Sequence, residues 1–207
     1  MERDQAIGKI KLLIGKDLVQ LANQYQITIW KSPGKKNKGW AGHVLERYLG
    51  LALNSAQSPN FGSWELKVVP LKYCSTGLMV KETMAITMID PYNVRQHPFE
   101  ASHLLAKLKK MVVAARILES TEENSSILYR VGYFDLSEIR IYETVKADYD
   151  QARKVIVDDG FHALSGTMGK LVQPRTKGAG HGSTSRAFYA RTHFVAHIIG
   201  LKELSTI

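Results

Sequence analysis

The chain lacks several features that whole classes of protein require. Among its 207 residues there is one cysteine, Cys74, which excludes an intrachain disulfide framework and a zinc site built on a cysteine cluster. No run of about 18 uncharged apolar residues occurs, so the sequence predicts no membrane-spanning helix. The first residues do not combine a basic stretch, an apolar run and a cleavage site, and so predict no secretory signal. These absences favour a cytoplasmic protein with no membrane partner.

Acidic residues are scarce over most of the chain. There are 28 Lys+Arg against 19 Asp+Glu, which gives a net charge of +9. Residues 119–160 nevertheless hold ten acidic and five basic residues, so the positive charge lies in the N-terminal half and the C-terminal tail. A basic surplus of this size favours a polyanionic partner. Scattered lysines that only keep the protein soluble are the alternative interpretation.

The hydrophobic pattern alternates between helical and strand periodicity. We expect one domain over residues 1–207, with an α/β (α+β) fold around a mixed sheet, because helices and strands interleave along the chain. Near its end the chain has an apolar segment over 187–201. The predicted helices cover 5–24, 40–53, 102–110 and 137–157. The predicted strands cover 64–69, 78–89, 111–118 and 127–134, with a short one near 171–172.

The strand at 64–69 carries a pair of residues suited to phosphodiester chemistry. Glu65 and Lys67 are two residues apart, so their side chains leave one face of the strand while Trp64 and Leu66 leave the other. A carboxylate binds Mg²⁺ through oxygen, and a neighbouring lysine favours the deprotonated form of a water that attacks phosphorus. An exposed ion pair with no catalytic role is the alternative interpretation of this pair.

A second carboxylate is available in the preceding helix. Glu46 has Gly42 and Gly50 one turn away on either side, and these glycines would allow a backbone or a phosphate to approach closely. Glu46 is therefore a candidate for the same site. A solvated helix face beside Arg47 is the alternative interpretation.

Several segments resemble one known family in both content and order. Residues 38–50 resemble a helix of the MutH family of mismatch-repair endonucleases and of its type II restriction relatives that cut GATC. Asn60-Phe61, followed by Trp64 to Lys67, is similar to the catalytic strand of that family. The resemblance extends over residues 5–201. Further matching segments are Lys81-Glu82-Thr83, Glu100 to Lys110, Pro174 to Lys177 and Arg186 to Tyr189.

The resemblance implies a restriction-endonuclease-like mixed sheet flanked by helices, with two lobes around a DNA cleft. It implies a metal site formed by Glu46, Asn60 and Glu65, with Mg²⁺ as the cofactor and Mn²⁺ as its substitute. Lys67 would complete the catalytic group and Lys107 would lie close to the cleaved phosphate. Arginine suits guanine edges, and lysines and backbone amides suit phosphates. The implied DNA-binding residues are Lys38, Gly39, Arg175, Lys177, Arg186 and Tyr189.

Two departures from the family pattern change these expectations. Asn60 stands where the family has aspartate, and an amide oxygen ligates a cation without adding negative charge, so we expect weak Mg²⁺ binding and slow or absent cleavage. Three explanations stay open: an engineered substitution, a naturally altered site in which Glu46 compensates, and a DNA-binding protein that has lost cleavage. The shortened glycine-rich loop at 178–182 leaves the recognised sequence open.

The sequence thus predicts a metal-dependent, sequence-specific endonuclease of double-stranded DNA, similar to type II restriction enzymes. A methyl-directed mismatch-repair nicking endonuclease and a cleavage-deficient DNA-binding protein are the alternatives. A mismatch-repair activator or a cognate methyltransferase would be a further partner, and the active form would be a monomer or a homodimer. His193 and His197 share a helix face, but no third ligand of fitting spacing accompanies them, and Cys74 has no identifiable base.

Overall fold

The computed structural model describes residues 1–32, 34–50, 59, 61–120, 122–178 and 184–204. Within them helices and strands alternate along the chain. The helices are α1 (Arg3–Lys11), α2 (Leu18–Gln24), α3 (Trp40–Tyr48), α4 (Pro91–Gln96), α5 (His103–Leu108), α6 (Ile139–Asp158) and α7 (Thr192–Ile198). The strands are β1 (Trp30–Ser32), β2 (Lys35–Lys36), β3 (Glu65–Cys74), β4 (Gly77–Val80), β5 (Met84–Met88), β6 (Lys110–Ile117), β7 (Leu128–Asp135), β8 (Val172–Thr176) and β9 (Arg186–Ala190).

Two predicted elements are each divided in the structure. The helix expected over 5–24 is α1 and α2, because the chain turns at Gly15, where φ is +83°, and restarts at Asp17, whose carboxylate accepts from the Val19 amide at 2.9 Å. The strand expected over 78–89 is β4 and β5, which lie in different sheets. Helix α3 ends at Tyr48, where Gly50 takes a φ of +83°.

The larger sheet is mixed, as predicted. Its order is β4-β3-β6-β7; β3 and β6 run parallel, and the other neighbours are antiparallel. The parallel register places Glu65 opposite Met111. A smaller antiparallel sheet has the order β5-β9-β8. The predicted mixed α/β class is therefore confirmed, whereas the arrangement in two lobes around a cleft stays a prediction.

Each face of the larger sheet packs against a hydrophobic core. Leu66 and Val112 pack with α1, α2 and α3 in one hydrophobic core. Val69 and Val113 pack with α5, α6 and the smaller sheet in the other. Along β3, Glu65 and Lys67 alternate with Leu66, which faces the core with α1, α2 and α3. They therefore lie on the side of the other core, at the point where β3 begins. Among the described residues, no helix has both the length and the apolar composition needed to span a bilayer.

A buried polar cluster joins the segment before β7 to the start of α3. The Glu123 carboxylate is 4% exposed and accepts from the Trp40 indole at 2.7 Å and the Arg116 guanidinium at 2.9 Å, and Lys36 lies 2.6 Å away. Burial raises the pKa of this carboxyl, but the hydrogen bond from Lys36 and the charge of Arg116 lower it by more, so its pKa lies below the ordinary value.

Replacing Glu123 by glutamine should lower the free energy of unfolding by about 3 kcal/mol at pH 7, because two cations lose a buried partner. A lowered folded-state pKa stabilises the protein above the unfolded value of about 4.3 and ceases to do so as the pH falls through the folded-state pKa. Urea unfolding of the wild type and of Glu123→Gln between pH 7 and pH 3 should therefore show a difference that shrinks below about pH 4.3. A difference that stays constant with pH would contradict this.

Candidate functional site

The site is built around Glu65, the first residue of β3. Its side chain is fully buried, and its Oε1 lies 2.7 Å from the Lys67 Nζ and 3.3 Å from the Lys107 Nζ. Lys107 is 7% exposed. The sequence predicted that Glu65 and Lys67 share a face, and the structure adds Lys107 to the same carboxylate oxygen. The exposed ion pair weighed as an alternative is wrong for Glu65, because no part of its surface meets solvent.

Lys107 reaches Glu65 because of how α5 leads into β6. Ser102 caps α5 by accepting from the Leu105 amide at 3.1 Å, which fixes where the helix starts. The helix then passes directly into β6, the parallel neighbour of β3, where Met111 lies opposite Glu65. Lys107 is four residues before Met111 and so comes to the same end of the sheet.

Lys177 brings a third ammonium group close to this pair of lysines. It follows β8 directly, and burial lowers its pKa, as do the charges of Lys67 and Lys107. Like charges lower the pKa of a lysine only when they are near, so Lys177 extends the positive charge of Lys67 and Lys107. Three lysines at one end of the sheet favour the approach of an anion.

Glu46 is buried rather than solvated. It is 9% exposed on α3, beside Leu45, while Arg47 is exposed. Helix α3 packs against β3, and Leu45 and Leu66 share a core. The solvated helix face weighed for Glu46 is therefore wrong. Asn60 lies outside the described residues. Within the described part of the chain, which includes His193 and His197, no three His, Cys, Asp or Glu side chains group together as metal ligands.

The predicted DNA-binding residues of the smaller sheet divide between its two faces. Gln173 pairs with Tyr189, so Tyr189 shares a face with Arg175, whose guanidinium lies 5.8 Å from the Tyr189 ring centroid. By the same alternation this is also the face of Lys177. Arg186 pairs instead with Thr176 and lies on the opposite face. The structure thus separates Arg186 from the other three.

Each arginine is held by a different part of the chain. Arg175 donates to the Thr83 hydroxyl at 2.9 Å, which places the segment Lys81-Glu82-Thr83 beside it. Arg186 donates to the carbonyl of His162 at 3.0 Å, and its guanidinium lies 5.8 Å from the Phe161 ring centroid. Sequence reasoning missed the role of Thr83 in holding Arg175, because 92 residues separate the two and only the fold brings them together.

Lys38 and Gly39 lie at the start of α3. Both are exposed, and Gly39 is the N-cap residue of the helix. A Cβ at Gly39 would lie 3.3 Å from the His43 Nε2, so a larger residue there would crowd that ring. The absence of a side chain leaves the helix terminus open to a phosphate.

Comparisons with known proteins confirm the predicted resemblance. A family profile described as "DNA mismatch repair enzyme MutH" matches residues 49–148. The chain is 26% identical to the DNA mismatch repair protein MutH of Vibrio cholerae over 95% of each protein, and 27% identical to that of Vibrio campbellii over 96% of this chain and 91% of the relative. It is 25% identical to the type II restriction enzyme Sau3AI of Staphylococcus aureus over 88% of this chain and 37% of that enzyme. A solved restriction endonuclease MvaI–cognate DNA substrate complex has a TM-score of 0.37 and 12% identity, over 87% of this chain and 95% of that one.

Proposed function

We propose that this chain, a relative of the MutH mismatch-repair proteins and of a type II restriction enzyme, is a metal-dependent endonuclease that hydrolyses phosphodiester bonds of double-stranded DNA. The observation that carries the proposal is the buried Glu65 carboxylate held between Lys67 and Lys107 at 2.7 and 3.3 Å. Burying ionised groups is costly, and a buried carboxylate between two lysines where a strand begins is a candidate for a functional role. A site that must receive a phosphate and a cation accounts for that cost.

The residues present suit a divalent metal ion. Mg²⁺ in phosphoryl-transfer sites is held by one or two carboxylates together with substrate phosphates and water, so a set of three acidic ligands is not required. Glu65 and Glu46 are buried carboxylates on two elements that pack together, and Asn60 offers a third oxygen in the sequence. These three residues would hold Mg²⁺, with Mn²⁺ as its substitute.

The lysines perform the remaining tasks of the reaction. Lys67 holds the water that attacks phosphorus and favours its deprotonated form by its charge. Lys107 binds the cleaved phosphate and stabilises the negative charge that develops on it in the transition state. The metal, when bound, neutralises phosphate charge and lowers the pKa of the attacking water. Lys177 adds positive charge near Lys67 and Lys107. It directly follows β8, the strand that carries Arg175.

Arg175, Lys177 and Tyr189 form the DNA-reading face in this proposal, whereas Arg186 supports the fold from the other side. Replacing Arg175 by alanine should weaken binding to a cognate duplex about tenfold, since one specific contact is worth about 1–3 kcal/mol. Replacing Arg186 by alanine removes the same charge but should change affinity less than about threefold while lowering the melting temperature. Anisotropy titrations of labelled DNA with both variants check this. Equal losses of affinity would contradict it.

The choice between restriction and repair rests on different observations. The MutH proteins match this chain over almost their whole length, which favours a nicking endonuclease of mismatch repair, with a repair activator as partner. The Sau3AI match and the low overall identity to the MutH proteins favour a type II restriction enzyme with a cognate methyltransferase. Unaided double-strand cutting supports restriction, whereas strong stimulation of nicking on hemimethylated DNA by a mismatch-repair activator supports repair.

The proposed function is tested by incubating the protein with a mapped plasmid in Mg²⁺ and sequencing the ends that form. We expect discrete fragments in Mg²⁺ and none in excess EDTA. DNA binding without any cutting in Mg²⁺ or in Mn²⁺ would instead support the cleavage-deficient alternative. The cytoplasmic location of the protein and its monomeric or dimeric state remain predictions from the sequence.

A further inference from the structure

A short hairpin before α3 concentrates positive charge in a segment that has no acidic residue of its own. Strand β1 pairs antiparallel with β2, and Trp30 lies opposite Lys36. No acidic residue occurs anywhere between positions 18 and 45, and the only Lys or Arg residues there are four lysines. These are Lys31, Lys35, Lys36 and Lys38. We call the described residues 30–32 and 34–38 the basic hairpin.

The basic hairpin also exposes an indole. Trp30 is 42% exposed, whereas Trp40 and Trp64 are 0% and 1% exposed in the core. The Lys36 Nζ lies 5.4 Å from the Trp30 ring centroid and covers one side of the ring. An exposed aromatic side chain among lysines has the composition of a nucleic-acid-binding surface, which combines an aromatic ring that packs on the nucleotide with lysines that bind phosphates.

The hairpin is anchored to the fold through Lys36 and Asn37. Lys36 lies 2.6 Å from the buried Glu123 carboxylate, and Asn37 bonds through its side chain to the Thr28 carbonyl at 2.9 Å and through its amide to the Ile29 carbonyl at 2.8 Å. Lys36 is therefore committed to the fold. Lys31 and Lys35 are exposed, and neither forms an ion pair within the described ranges.

We infer that the basic hairpin binds the sugar–phosphate backbone of duplex DNA beside the cleaved site, with Lys31 and Lys35 on phosphates and Trp30 packed on deoxyribose. This rests on the proposed function, which puts Glu46 in the active site. The hairpin leads through Lys38 into α3, and Trp40 and Glu46 are about 9 Å apart along the helix axis at 1.5 Å per residue. Since phosphates of one strand follow at intervals of about 3.4 Å along the duplex axis, the hairpin meets the backbone a few base pairs away.

Tryptophan fluorescence reports this contact directly, because Trp30 is the exposed indole and the other two are buried. The protein is titrated with an unlabelled 20-base-pair duplex in EDTA, so that no cutting occurs. We expect the fluorescence to change on saturation in the wild type and not in Trp30→Phe. Replacing Lys31 and Lys35 together by alanine should weaken binding about tenfold and reduce the slope of log affinity against log salt by about 1.8. The charge-matched control is Lys154→Ala with Lys202→Ala, two exposed lysines of α6 and the C-terminal segment.

The outcomes separate this inference from the proposed function. Unchanged Trp30 fluorescence while labelled DNA is seen to bind by anisotropy, or a salt slope equal to that of the control, overturns the inference, and plasmid cutting would still support the proposed function. A Trp30-dependent signal without any cutting in Mg²⁺ supports the inference while the proposed function fails. A protein that binds no DNA overturns both. Thermal melting of each variant shows whether it is folded.

Discussion

A Glu65→Gln protein should cut plasmid DNA on the order of a thousandfold more slowly than the wild type, the scale expected when one group that stabilises the transition state is removed. Glutamine keeps the size and one oxygen of the side chain but not its charge. The site then loses the buried carboxylate that holds Lys67 and Lys107 at 2.7 and 3.3 Å. It also loses the negative charge with which this side chain would bind Mg²⁺.

DNA binding and stability distinguish this loss from general damage. Removing a negative charge beside three lysines should leave the affinity for uncut DNA unchanged or raise it, because the repulsion of phosphate falls. Lys107 loses its ion pair with Glu65, so the free energy of unfolding should fall by up to about 3 kcal/mol. Cleavage is therefore measured at a temperature where urea unfolding shows the variant folded.

The matched control replaces an exposed glutamate by glutamine, the same change as in Glu65→Gln. Glu138 is exposed before α6 and its side chain caps no backbone amide, so Glu138→Gln should cut at the wild-type rate. A Glu65→Gln protein that keeps more than about a tenth of wild-type cutting would remove Glu65 from the reaction, since a tenfold change corresponds to only about 1.4 kcal/mol of transition-state stabilisation.

The parts of the site that depend on local periodicity were predictable. Strands β6 and β7 are within one residue of their predicted bounds, because β6 is a continuous apolar run buried in the sheet and β7 is rich in β-branched and aromatic residues. The shared face of Glu65 and Lys67 followed from strand alternation alone. Lys107 entered the prediction only through the resemblance to MutH, because its contact with a residue 42 positions away depends on the parallel pairing of β3 with β6.

The parts that depend on register and on long-range packing were not predictable from spacing. Arg175 and Arg186 are both basic residues of one sheet, but the β8–β9 register places them on opposite faces, and the sequence does not fix that register. The strand predicted over 78–89 concealed the change of sheet between β4 and β5, because the apolar residues on both sides of Lys81-Glu82-Thr83 have strand composition. Burial of Glu46 likewise depends on which side of α3 meets β3.

Replacing Asn60 by aspartate should raise the rate of plasmid cutting by on the order of a hundredfold, about 2.7 kcal/mol at 1.36 kcal/mol per factor of ten. A carboxylate binds a divalent cation more strongly than an amide because it adds a full negative charge, and even at an effective dielectric constant of about 20 one such charge is worth several kcal/mol at about 4 Å. The gain should be largest at low Mg²⁺ and shrink as Mg²⁺ approaches saturation, because the substitution acts on metal affinity.

The shape of the Mg²⁺ dependence decides among the explanations for Asn60. A wild type that cuts slowly and an Asn60→Asp protein that reaches the same maximal rate at lower Mg²⁺ identify a weakened metal site, whether engineered or natural. Equal cutting at all Mg²⁺ concentrations identifies a natural site in which Glu46 already supplies the needed charge. The control is Asn23→Asp, an exposed residue of α2 that adds the same charge and should leave cutting unchanged. Tight DNA binding with no cutting by either the wild type or Asn60→Asp would leave the cleavage-deficient DNA-binding protein as the explanation, because restoring the carboxylate would then have restored nothing.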